Sequence, residues 1–461
     1  YQFACYTAAN SSRIGSSGLH MSTQVQLEPA LAAPVAQPWP LARRIAFRFC
    51  LLYFGLFCLS TQILASILLI PKVDIPDPAT LWPARLLVLW TAQHIFRVKS
   101  EIIYSGSGSG DKTFDWVLDF CLLVIAAIAT AVWSALDRRR SGYPTLARWS
   151  HLLLRVAVGS QMLIYGFAKA PPLQMPFPFL SHQIEPFASQ SPMGILWYSV
   201  GASPGYEIFV GCAELLGGIL LLFPRAIALG ALICLADMTE VFVLNMTYDV
   251  PVKLFSFHMI LMCLLLLAPQ ARRIANFFFL DRPAEPAPSL AVFATRRARR
   301  IGAAVLAFVW LWMIGNNIYG SWTAWHEYGG GRSKSALYGI WEIDQLTRDG
   351  RLQPPLLTDN SRWRRAIFDF PQFMQFQKMD ESFTGFSAAI DEKKNTLTLT
   401  KSDEKDWKSV FAFTRTAPDR LTLQGAMDGH QLTMQLHRVD ETKFLFASRG
   451  FHWIQEYPFN R

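Results

Sequence analysis

Seven apolar stretches, most of them long enough to cross a bilayer, occupy much of the first 320 residues of this 461-residue chain. A spanning helix needs about 20 mostly apolar residues, and an ordinary soluble fold has no place for so many. The stretches are Ile45–Ile70, Trp116–Leu136, His151–Phe167, Tyr206–Phe223, Ala226–Asn245, Val252–Leu267 and Ile301–Ile318. A further apolar segment, Leu81–Val98, carries Arg85, His94 and Arg97 and is expected to lie on the outer surface as an amphipathic helix.

Charge divides the chain in the same way. Charged residues make up 13% of residues 1–332 and 27% of residues 333–461. Soluble domains carry roughly 25%. The expected fold is therefore an α-helical membrane bundle of about seven transmembrane helices, followed by a soluble all-β antiparallel barrel domain. The net charge is +8 in the first part and +1 in the second. This excess sits where loop arginines set membrane orientation, so no nucleic-acid partner is expected. All seven cysteines precede residue 264, none forms a CxxC pair, and all but Cys5 fall in apolar segments. They read as small hydrophobes.

Composition suggests five regions. Residues 1–20 begin with Tyr1, are Ser/Gly-containing and aperiodic, and read as upstream or non-native sequence before Met21. Residues 21–140 form an N-terminal transmembrane region and 141–282 a helical core. Residues 283–332 hold a linker and the last transmembrane helix, and 333–461 the β domain.

With seven spans, fifteen arginines fall on one side: Arg43, Arg44 and Arg48, the group from Arg138 to Arg148, Arg225, and the group from Arg272 to Arg300. That side should be cytoplasmic. The expected location is a bacterial inner membrane, with the N-terminus inside and the C-terminal domain in the periplasm or outside the cell.

Ionisable side chains inside spans are costly and are functional candidates by default. Glu214 lies about 12 Å along the fourth stretch, near mid-depth. Asp237 lies at similar depth in the antiparallel fifth, with Glu240 one turn outward on the same face. Asn245, Asp249, Lys253 and His258 sit at or just inside the outer end of the next hairpin, and Lys169 just past the third stretch. Together they suggest a polar funnel open to the outside and closed at Glu214 and Asp237. Glu214, Asp237 and Lys169 are the candidate proton-handling residues. Arg155, Glu240, Asn245, Asp249, Lys253 and His258 are candidate ligand contacts. Arg155, near the inner end of the third stretch, suits snorkelling.

The pattern Arg155-x3-Gly159-x6-Gly166-x2-Lys169, followed by Glu214-x2-Gly217-Gly218-x-Leu220-Leu221-Leu222, resembles the DoxX family of bacterial membrane proteins. Ser107-Gly108-Ser109-Gly110-Asp111, Ser191-Pro192-Met193-Gly194 and Asn245-x2-Tyr248-Asp249-Val250-Pro251-Val252-Lys253 look like one multi-domain branch of it. The resemblance covers roughly residues 105–282. It implies a four-helix core in the third to sixth spans, a quinone as carrier, and redox partner subunits. It also implies that Arg155, Lys169 and Glu214 stand at family motif positions. The chain would then be a subunit of a quinone-linked oxidoreductase, since no paired cysteine or cofactor motif of its own is present.

In the last 125 residues strand signals recur at close spacing, from Leu337–Asp344 to Gln431–His437 and Lys443–Ser448. Alternation is clear in Thr396-Leu397-Thr398-Leu399-Thr400, and Asp428-Gly429 between two alternating runs is a hairpin signal. Eight or nine short antiparallel strands suggest an up-and-down barrel or a sandwich. Gly339-x-Trp341, with Arg449 after the last strand, resembles a lipocalin-type barrel. The alternative function is therefore non-enzymatic, with this barrel holding an apolar ligand or a partner in the envelope.

Overall fold

A computed structural model of the chain describes residues 38–460 without positions 69, 71, 72, 74, 285, 287–290 and 405. Residues 1–20, read above as upstream sequence, lie outside the described residues. Among the described residues six helices are long and apolar enough to cross a membrane, and a bent pair at the start makes up to seven.

The first stretch is that bent pair. Helices α1 (Leu41–Ser60) and α2 (Gln62–Leu68) meet at 66°. The break falls where polar side chains can satisfy the backbone and one another. Thr61 Oγ1 donates to Phe57 O at 2.8 Å, Gln62 Nε2 to Gln161 Oε1 at 2.9 Å, and Gln161 Nε2 to Ser66 Oγ at 2.6 Å. The amphipathic segment becomes α3 (Ala84–His94), whose 11 residues span about 17 Å. That is roughly half of a bilayer core.

The spans follow as α4 (Thr113–Leu136), α5 (Pro144–Lys169), α7 (Pro204–Leu222) and α8 (Ile227–Thr247), with the short α6 (Pro192–Gly201) before α7. Next, α9 (Lys253–Leu267) runs through a single turn into α10 (Ala271–Phe278), and together they are long enough for one crossing. The last, α11 (Arg296–Glu327), has 32 residues, about 48 Å. Helix α5 starts seven residues before the expected His151, because Pro144 at its first turn pre-sets the backbone and its polar first turns carry no apolar signal.

Helices α5 and α7 cross closely, and glycine permits it. A Cβ on Gly211 would lie 2.4 Å from Ala170 N and 2.8 Å from Lys169 Cβ. On its other side α5 receives α11, whose buried Trp310 ring occupies the space above Gly159.

Two ends of the bundle are distinct. At one end Arg44 donates to Arg138 O and Arg140 O, Arg148 to Ala291 O, and Arg155 to Leu221 O and Leu222 O. At the other end Lys169 meets Glu214, Ser321 Oγ donates to Phe167 O, and the β domain docks.

The β domain has nine strands: β1 (Gly339–Arg348), β2 (Arg351–Gln353), β3 (Trp363–Phe370), β4 (Phe373–Lys378), β5 (Phe383–Asp391), β6 (Thr396–Thr400), β7 (Lys408–Ala417), β8 (Arg420–Met427) and β9 (His430–Arg438). Each pairs antiparallel with its sequence neighbour, except that β2 folds back on β1 alone. Pairing of β1 with β9 closes the remaining eight into an up-and-down barrel. Alternation places Leu397, Leu399, Phe411, Leu421 and Leu423 inside, each buried. Trp341 is buried with them, its Nε1 donating to Leu337 O at 2.8 Å. These large side chains pack into one core, which leaves a pocket of about 270 Å³ at one end between Leu346, Trp363, Met427 and Leu432.

One local expectation is corrected. Lys443–Ser448 is not a strand but a 3₁₀ turn leading into the short helix α12 (Leu445–Ser448). A barrel already closed by β1 and β9 offers it no edge. Arg449 follows α12 in the C-terminal tail. Its guanidinium binds Gln455 and His452 and covers the Phe459 ring within the C-terminal tail.

Candidate functional site

The site is built around one ion pair. Lys169, in the last turn of α5, places Nζ 2.7 and 2.9 Å from the two Glu214 oxygens, in the middle of α7. The side chains are 8% and 0% exposed. The close approach at Gly211 brings the two helices near enough for this grip. Arg155, Lys169 and Glu214 therefore share one helix crossing: Arg155 binds the last carbonyls of α7, and Lys169 and Glu214 close the other end.

Beside the pair lies a cavity of about 650 Å³. That is within the range of small-ligand sites. Glu207 and Glu214 from α7 and Asp237 and Glu240 from α8 reach it, with Lys169 and Asn245. Helix α6 roofs it with Met193, Leu196 and Trp197, and Gln174 and Met175 complete the outer wall. At the mouth Tyr206 Oη donates to Glu240 at 3.4 Å. Asn245 is held by Ser256 Oγ at 3.0 Å.

Three buried acceptors lining this cavity have no hydrogen-bond partner: Glu207 Oε2, Asp237 Oδ2 and Gln174 Oε1. Glu207 is 0% exposed, and its other oxygen accepts from Met175 N at 2.9 Å. Buried polar atoms left unmet are rare in folded proteins, so three around one space call for an explanation. Among the described residues no group of three or more His, Cys, Asp or Glu side chains is placed to hold a metal ion.

The remaining candidates lie outside the cavity. Asp249 and Lys253 form an exposed pair at 2.9 Å beside the start of α9. The backbone N–H groups of Lys253 and Leu254 are capped by Asp111 at 2.8 and 2.9 Å. The Ser107–Asp111 turn and the 249–253 hairpin are thus one structural joint, closed by Gly110 N donating to Pro251 O at 2.8 Å. His258 belongs to a separate buried cluster, 2.6 Å from Tyr53 Oη and stacked on Phe57. Its Nδ1 faces Leu254 O at 2.7 Å, which makes Nδ1 the donor. Nε2 then accepts from Tyr53, and Asp119 stands 3.9 Å away.

No family model matches the chain, and no solved structure matches it. Among curated proteins, YwoB of Bacillus subtilis (strain 168) is 33% identical over 124 residues, spanning 27% of this chain and 79% of YwoB. The chain belongs to the YwoB family. YwoB carries the name "Uncharacterized protein", so kinship with it brings no activity, and the chemistry must come from the site.

Two site residues were missed by sequence reasoning. Glu207 opens α7 and reads as a residue at the edge of a span, yet the folded segment after α5 covers it completely. Asp119 lies in α4 and is 9% exposed. Both were accessible as ionisable residues in apolar runs. Only tertiary contact separates Glu207, on the cavity, from Asp119, in the Tyr53–His258 cluster.

Proposed function

We propose that this is an integral membrane protein that binds the polar head of an apolar small molecule in its outward cavity and exchanges protons with it. The observation that carries this reading is the 650 Å³ space that holds both the buried Lys169–Glu214 pair and the unpartnered oxygens of Glu207 and Asp237. Packing alone has no use for Glu207, Glu214 and Asp237 around one lysine inside a bundle, where each costs free energy, with Glu240 exposed at the mouth.

In this reading Lys169 and Glu214 form the fixed floor. Asp237 and Glu240 pass protons outward along one face of α8, and Tyr206 guards the mouth. Apolar side chains from α6 and α8 take the body of the ligand. The DoxX resemblance would place the molecule in a redox system as a quinone-class carrier, with the electrons handled by partner subunits. The arginine-rich end opposite the barrel supports a cytoplasmic N-terminus and a barrel facing the periplasm. The barrel is a less suitable binding chamber, because the pocket its core leaves, about 270 Å³, is less than half the size of the helical one.

The test is extraction of protein purified from its host in mild detergent, with mass spectrometry for quinones and lipids and a visible spectrum. The expected result is one amphiphile per chain, lost in Glu214→Gln. Equal retention by the variant, or no retained amphiphile in either protein, contradicts the proposal.

A further inference from the structure

The cavity is short of positive charge. Four carboxylates reach it, from α7 and α8, and the cation that faces them is Lys169. Glu214 already grips that lysine through both oxygens. Tyr206 is committed to Glu240, and Asn245 to Ser256. What remains unmet is entirely acceptor: Glu207 Oε2, Asp237 Oδ2 and Gln174 Oε1. Glu207 is the decisive member. It is fully buried, lines the cavity, and holds one oxygen without a partner.

The rest of the wall suits a cation as well. Tyr165, Trp197, Tyr206 and Phe255 present aromatic rings, and Met175, Met193 and Met238 present polarisable thioethers. Aromatic faces attract a desolvated cation, and methionine adapts to ligands of varied shape. Lys169 itself lies 5.4 Å from the Tyr165 ring centre. A quinone head offers only acceptors, and its quinol form offers hydroxyl donors but no positive charge to balance the carboxylates.

We infer that the cavity receives an amphiphile whose head carries positive charge, an alkylamine or quaternary ammonium, which binds the Glu207 and Asp237 carboxylates in competition with protons. This rests on the amphiphile reading above, replaces the carrier that the family resemblance implies, and makes the exchange one of cation for proton on the carboxylates. The titratable groups facing the head are Lys169 and Tyr165 from α5, Glu207, Glu214 and Tyr206 from α7, and Asp237 and Glu240 from α8. Helices α6 and α9 contribute none to the lining. Protons and the cation compete for the same oxygens, so binding tightens as pH rises. The limit is roughly tenfold per pH unit for one exchanged proton.

The experiment uses the full chain in uncharged phosphatidylcholine nanodiscs and measures retention of radiolabelled tetraphenylphosphonium. The competitors are dodecyltrimethylammonium, dodecanol and a short-chain ubiquinone. The expected results are one probe per chain, binding about tenfold or more tighter at pH 8 than at pH 6, and displacement by the ammonium alone. Glu207→Gln should weaken binding by about tenfold with thermal unfolding unchanged, and Glu207→Asp should restore part of the loss. If Glu207→Gln proves unstable, Asp237→Asn, half-exposed at the wall, reads the same effect. Displacement by dodecanol or ubiquinone as effective as by the ammonium overturns this inference and leaves the amphiphile reading standing. So does wild-type affinity in both variants. Absence of any bound probe, with no competitor retained, overturns both.

Discussion

At the scale of the residue, Lys169→Met would strand the Glu214 carboxylate, whose side chain is 0% exposed. Removing one partner of a buried pair costs about 3–5 kcal/mol, whereas replacing both by apolar groups of similar volume is often near neutral. The account therefore predicts a large loss of thermal stability in detergent for Lys169→Met and substantial recovery in Lys169→Met/Glu214→Leu. A double variant as unstable as the single would show that the pair is not what holds α5 to α7. Much of this chemistry was legible in the sequence. Glu214, Asp237, Glu240, Asn245 and Lys169 stood out as polar residues in apolar runs, and the fold gathers them at one cavity. Asp249, Lys253 and His258 stood out by the same rule and went elsewhere. Depth along a helix is readable from sequence, while the face a side chain presents to its neighbours depends on how the helices cross.

At the scale of the element, the segment from Ala170 to Ser203 joins the two halves of the molecule. Its Gln174, Met175 and α6 cover the cavity, and its Phe179 and Leu180 meet the barrel. Asp369 on β3 is the fastener: Oδ2 accepts from Leu180 N at 2.9 Å and Oδ1 from Arg332 at 2.6 Å. Arg332 also covers the rings of Phe179 and Phe370 at 4.9 and 4.8 Å. Asp369→Ala leaves a buried N–H and a half-buried guanidinium unmet, at a cost of roughly 2–4 kcal/mol to docking. Faster amide exchange at Leu180 and faster proteolysis after Phe179 would confirm it; unchanged protection would refute it. His182 lies in the same joint, 4.8 Å from the Tyr198 ring. Burial pushes its pKa below the ordinary 6.5 against the opposing pull of Glu185 and Asp369. The released segment therefore binds the proton more readily than the docked one. Docking should be complete above about pH 6.5 and weaken as pH falls below it. The bend between α1 and α2 and the strand β2 escaped prediction at this scale. An unbroken hydropathy run hides a bend whose polar partners lie on another helix. Strand β2 is three residues long, and its only sign was the Asp349-Gly350 turn, a pair with positive φ like Asp428-Gly429.

At the scale of the whole molecule, a helical bundle carries the chemistry and a closed barrel stands over its polar end. The period of seven long apolar runs and of alternating strands made both halves legible, because burial enforces those periods. Closure of the barrel and its docking on Phe179 and Leu180 were not legible, since both depend on residues far apart in sequence. The central claim is that the cavity under α6 is where the apolar ligand sits. The most direct measurement is photolabelling of the full chain in nanodiscs with a diazirine-bearing long-chain amphiphile, followed by peptide mapping of the adducts. The account predicts labels concentrated on Met193, Trp197, Val241 and Leu244, competed by excess unlabelled amphiphile. Labels spread without competition over the lipid-facing sides of α4 and α11, or found inside the barrel, would contradict it.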